Sequence, residues 1–130
     1  MKFEVSFLEI MDFISNTYNI RVGIKNFAFD KIKVNYIISM VLTVKEVKPD
    51  EVIFQYDSNN LYNLLIKGVH FFIKKKLDNI PIVWNIESRE LVIDLKKIKN
   101  LELFLRLSSI SELHFKNDAL VLVVLMKTKQ

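Results

Sequence analysis

Residues 32–47, IKVNYIISMVLTVKEV, alternate apolar and polar side chains over most of their length. Successive side chains of an extended strand point to opposite sides, so Ile32, Val34, Tyr36, Ile38, Met40, Leu42 and Val44 share one face. The other face carries Lys33, Asn35, Ile37, Ser39, Val41, Thr43, Lys45 and Val47. It is polar at its ends and half apolar in the middle, which predicts that its middle is covered too. A strand of this length makes the chain a sheet protein.

The same period of two extends outward in both directions. Residues 20–29 form the preceding strand, and VKPDEV supplies a turn at Pro49 and Asp50. Beyond it Val52, Phe54 and Tyr56 alternate with Glu51, Ile53 and Gln55 as the following strand. Three strands with short connections predict an antiparallel meander. The cluster Asp57, Ser58, Asn59, Asn60 is helix-start chemistry, and Leu61, Leu64, Leu65, Gly68, Phe72 and Leu77 then line one stripe of a helix over 60–77. Tyr62, Ile66, Val69 and Ile73 widen that stripe past half the circumference, so this long apolar helix is expected to be wrapped by the sheet.

Towards the start, Ser6 and Glu9 have capping-box spacing, and Phe7, Ile10, Met11 and Ile14 recur at helical intervals over residues 7–17. Phe3, Val5 and Phe7 also alternate as in a strand. Towards the end, Pro81 stops the long helix, and IVWNI and ELVIDL form two short strands joined around residues 87–89. Asp94 can cap a short helix from Lys96. NLELFLRL reads either way: Leu101, Leu103, Leu105 and Leu107 alternate, while Ile98, Leu101 and Leu105 fit a helix. ISELHF, the turn KND and ALVLVVLM make a closing hairpin whose last strand is apolar on both faces and therefore central or covered. The expected architecture is one α+β domain, residues 1–130. A curved antiparallel sheet of meander and hairpins packs around one long apolar helix, preceded by an amphipathic helix.

Composition excludes several functions. With no Cys and only 2 Gly and 2 Pro, the chain has no disulfide, no thiolate metal site, no phosphate-cradling loop and no nucleophile elbow. Two histidines give little basis for a metal site, and no cofactor is expected. The net charge of +4 comes from basic residues that are all lysine except Arg21, Arg89 and Arg106, and charge sign alternates along the chain. Base reading and stacking favour Arg, so nucleic acid is not the expected partner. Glu4, Glu9 and Asp12 interrupt what a signal peptide would need as an apolar stretch. The longest apolar run, 119–126, falls well short of the roughly 20 residues of a spanning helix. A cytoplasmic protein without a transmembrane segment is expected, or an exported one if a leader has been removed.

The individual candidates have plain readings beside functional ones. His70 reads as a helix-surface or packed histidine rather than a general base. His114 and Glu112 read as a solvated contact rather than an acid–base pair. Lys74, Lys75 and Lys76 complement a helix C-terminus, with contact to an anionic group as the functional alternative. An enzyme would have to use carboxylates such as Asp94 or Glu90. What rises above background is apolar content: 51% hydrophobic residues, 10 Phe and a mean hydropathy of +0.21 in 130 residues. A domain this small has much surface for its volume, so the excess must pack densely, line a cavity or form an interface.

IPIVWNIESRELVIDL (80–95) and ISELHFKNDALVLVVLM (110–126), set after long alternating strands and one apolar helix, give an order of elements over residues 20–126. That order resembles small bacterial proteins related to the tubular lipid-binding superfamily. The resemblance implies a strongly curved sheet around a long helix and an elongated apolar groove. It carries no diagnostic motif and transfers no functional residue, and the absent export signal departs from many exported members. The expected function is a non-enzymatic binding domain that holds an apolar, lipid-like ligand, with Tyr36, Met40, Phe54, Tyr56, Phe72 and Trp84 lining the groove. The alternative is an interaction or scaffolding protein whose surplus apolar surface forms a homo-oligomer or partner interface, supplied by the final strand or the N-terminal helix.

Overall fold

The computed structural model describes residues 1–36, 39–57, 75, 80–85, 87–98 and 101–127. In chain order these form β1 (Lys2–Ser6), α1 (Phe7–Tyr18), β2 (Gly23–Ala28), β3 (Lys31–Asn35), β4 (Ser39–Val47) and β5 (Glu51–Asp57). There follow β6 (Ile82–Asn85), β7 (Glu90–Asp94), a 3₁₀ turn (Leu95–Lys97), α2 (Glu102–Leu107), β8 (Ser108–Lys116) and β9 (Ala119–Met126). The class is α+β. The strands divide between two antiparallel sheets, of order β1-β9-β8 and β2-β3-β4-β5-β7-β6.

The stretch expected as one strand over 32–47 is two, β3 and β4, paired antiparallel. The register explains why the sequence reads straight through the turn. Ile32 lies opposite Leu42 and Val34 opposite Met40, so even-numbered residues face even-numbered ones and the alternation continues unbroken across the reversal. A second correction concerns Val47, expected on the outer face. The pairing shifts between Val44 and Glu46, and after this bulge at Lys45 both Val44 and Val47 pack against the core. Between β4 and β5, the Lys48 amide donates to the Glu51 carbonyl at 2.8 Å and closes the Pro49–Asp50 turn.

Cross-strand rows make the six-stranded sheet apolar on one face. Ile24, Val34 and Met40 form one row, and Ile32, Leu42 and Tyr56 a second. Val44, Phe54, Leu91 and Trp84 form a third, and Val52, Ile93 and Ile82 a fourth. Ile32, Leu42, Val52, Phe54 and Tyr56 are buried in one cluster with Phe7, Leu95, Ile110 and Leu113. The small sheet, the start of α1 and α2 therefore share their core with this face.

The capping box forms as its spacing predicts: the Ser6 hydroxyl accepts from the Glu9 amide at 3.1 Å, and Glu9 Oε1 accepts from the Ser6 amide. The strand-like alternation just before it is also real, since β1 pairs with β9. Residues 102–107 are helical. Leu101, Phe104 and Leu105 pack inward while Leu103 and Leu107 are exposed, so the helical period prevails over the alternation of leucines. Asp94 caps the following 3₁₀ turn through Oδ1, which accepts from the Lys96 amide at 3.1 Å. The apolar β9 is the central strand of its sheet. The expected helix over 60–77, with Phe72, His70, Lys74 and Lys76, lies outside the described residues except for the exposed Lys75. Among the described residues no helix is long and apolar enough to cross a membrane.

Candidate functional site

Of the residues expected to line a groove, the structure brings Met40, Phe54, Tyr56 and Trp84 onto the same inner face. The register does this. Tyr56 stands opposite Leu42, one alternation along from Met40, while Phe54 and Trp84 flank Leu91 from either side. Tyr56 and Trp84 meet edge to face, with centroids 6.2 Å apart and planes at 77°. The end of β5 is tied to the β6–β7 turn by the Tyr56 amide, which donates to the Arg89 carbonyl at 2.9 Å. Arg89 has a positive φ of 56°, the left-handed geometry a tight reversal requires.

The four do not share one environment. Phe54 is covered by the small sheet, its ring stacked on Phe115 at 6.1 Å. Met40 and Trp84 are half-buried, and Tyr56 is fully buried. Tyr36 is half-buried just past the end of β3. At the Met40 end, the inner rows of described residues are Met40, Leu42, Tyr56, Leu91 and Trp84, with no Asp, Glu, Lys, Arg or His among them. The charges of the same strands lie on the outer rows. Glu90 pairs with Gln55 and Asn85 and receives the Lys45 ammonium at 2.6 Å, a contact that holds its carboxyl below the usual carboxylate range. Of the carboxylates named for an enzymatic reading, Asp94 caps the 3₁₀ turn and Glu90 is the ion-pair partner of Lys45.

His114 is flanked on both sides. Its Nδ1 is 3.9 Å from Asp30 Oδ2 and its Nε2 is 3.9 Å from Glu112 Oε2. Both distances exceed hydrogen-bond length, and the imidazole is exposed. Among the described residues no group of His, Cys, Asp or Glu side chains could hold a metal ion. Asp30 is the residue that sequence reasoning missed. It sits in the β2–β3 turn with a φ of 56°, and its Oδ1 accepts from the Phe115 amide at 3.1 Å, joining the large sheet to the small one. Asn26 makes a second such link, donating from Nδ2 to Asp118 at 2.8 Å. The only available signal was an Asp at a strand reversal, which says turn but not which distant amide it serves.

Comparison with protein-family models, curated proteins and solved structures returns no match.

Proposed function

We propose that this chain is a non-enzymatic binding domain that holds an apolar, lipid-like ligand in a groove between the inner face of the large sheet and residues 60–77. The reading takes those residues as the long apolar helix and the sheet as curved around it. The observation that carries it is the inner-face end at Met40, Tyr56 and Trp84: aromatic and thioether side chains, with the strands' charges turned to the other face. Such side chains adapt to an irregular apolar guest, and Tyr and Trp add a polar edge that can orient it. The topology supports a covering segment. β5 and β6 are both antiparallel to β7 and so parallel to each other, and a parallel pair needs a long crossover, which residues 58–81 supply. Lys74, Lys75 and Lys76 would then meet the ligand's anionic group. The resemblance to the tubular lipid-binding superfamily points the same way.

Native and denaturing mass spectrometry of the purified chain, with organic extraction alongside, tests this. A mass excess that disappears on denaturation and reappears as lipid in the extract is expected. A clean native mass with nothing extractable overturns the ligand reading.

One observation favours the alternative, an interaction or scaffolding protein. Met1, Leu107, Leu125 and Met126 are exposed and converge on one end of the small sheet. Met1 bonds to Val124, Ser108 lies opposite Met126, and the Lys127 amide donates to the Leu107 carbonyl at 2.8 Å. A clean native mass at a multiple of the chain mass would move the assignment to this reading.

A further inference from the structure

We infer that β1 is a homodimerisation edge, which pairs antiparallel with β1 of a second copy in a register set by Lys2 and Glu4. This does not depend on whether the groove holds a ligand. Among the described residues β1 is the outer strand of its sheet, bonded to β9 along one edge. Lys2, Phe3 and Glu4 are exposed, Phe3 at 43%.

Backbone bonding specifies which groups the edge offers. Met1 and Val124 exchange hydrogen bonds, and the Phe7 amide donates to the Asp118 carbonyl at 2.8 Å. In an antiparallel ladder alternate residues face the partner, so Met1, Phe3, Val5 and Phe7 turn their backbone groups to β9 while Lys2, Glu4 and Ser6 turn theirs outward. The Ser6 amide is already held by Glu9 Oε1 at 3.3 Å. Among the described residues, the amides and carbonyls of Lys2 and Glu4 are what remains.

A second β1 centred on Phe3 uses all of them. Lys2 then faces the partner's Glu4 and Glu4 faces the partner's Lys2, as two hydrogen-bonded pairs with complementary charge. Phe3 meets the partner's Phe3 at the intervening position, where side chains approach most closely. Sliding by one step of the two-fold register sets Glu4 against the partner's Glu4 or Lys2 against the partner's Lys2, which charge disfavours. The arrangement is isologous and joins two three-stranded sheets into one. Its contact is a single strand pair, small for an interface, so the dimer is expected to be reversible and concentration-dependent.

Sedimentation velocity of the full chain across a concentration series provides the test. Glu4→Lys and Lys2→Glu, at exposed positions that leave the core untouched, should each weaken dimerisation by about tenfold or more through two like-charge pairs. The double exchange Lys2→Glu/Glu4→Lys should restore it. In the unsubstituted chain, exchange of the Lys2 and Glu4 amides should slow as concentration rises. A chain that stays monomeric at every concentration overturns the inference. So does a dimer indifferent to the single exchanges, a double exchange that fails to restore association, or Lys2 and Glu4 amides that remain unprotected when the dimer is populated.

Discussion

Phe54 of β5 and Phe115 of β8 stack with centroids 6.1 Å apart and 18° between their planes, and Phe7 meets the same Phe115 edge-on at 6.4 Å. Three elements distant in sequence, from both sheets and the start of α1, thus meet at one ring. Phe54 is buried, so Phe54→Ala should cost about 3–5 kcal/mol of unfolding free energy. A double-mutant cycle with Phe115→Ala should show a coupling of about 0.5–1.5 kcal/mol. Urea denaturation measures both, and simple additivity would contradict the pairing.

Asp30 combines a left-handed backbone with the hydrogen bond to the Phe115 amide. Asp30→Gly removes the acceptor but suits the φ, and should cost about 1–3 kcal/mol for the half-buried amide left unpaired. Asp30→Ala removes the acceptor and keeps a Cβ in the left-handed region, so it should cost about 1 kcal/mol more than Asp30→Gly. Asp30→Asn keeps an acceptor and tolerates the φ, and should be the mildest of the three. Thermal or urea unfolding that ranks Ala as mildest would refute this account.

Glu90 owes its lowered pKa first to the hydrogen bond from Lys45. A carboxyl whose pKa is lower folded than unfolded adds stability above its unfolded pKa, and that stability is lost as pH falls through the folded pKa. The expected loss therefore lies in the acid range below the ordinary glutamate value. Lys45→Met should move the Glu90 titration upward and flatten that acid limb, as followed by the Glu90 carboxyl carbon in an NMR titration. An unchanged midpoint would show that the ion pair does not persist in solution.

Met40 is half-buried on the inner face. Under the ligand-binding reading, Met40→Trp should fill the groove and abolish uptake of a fatty acid probe while costing little stability. Overpacking a dense core costs about 1–3 kcal/mol. A loss of that size with uptake intact would make Met40 ordinary packing.

The elements that were legible in the sequence are those fixed by local chemistry. Ser6 and Glu9 announce the start of α1 because cap and helix lie within four residues, and Pro49–Asp50 announces the β4–β5 turn. The β3–β4 reversal was hidden because its register preserves the alternation, and the Lys45 bulge hid the inward turn of Val47 because one extra residue inverts every side chain after it. The division into two sheets was not legible either, since the apolar periods of Phe3 and Val5 name a strand but not its partner. Met40, Tyr56 and Trp84 are apolar or aromatic residues within alternating stretches, and the register unites them. Asp30 escaped notice because its role lies in an amide 85 positions away.

The pairing of β1 with β9 also sets an order of events. During synthesis the strands of the large sheet leave the ribosome while β9 does not yet exist, and domains form from the N-terminal side as soon as their partners are available. β1 must therefore wait for this partner until the large sheet and β9 have emerged and a long loop has closed. In that interval the strand whose charges complement those of a second copy is at its most exposed, and nascent chains on neighbouring ribosomes would meet there first.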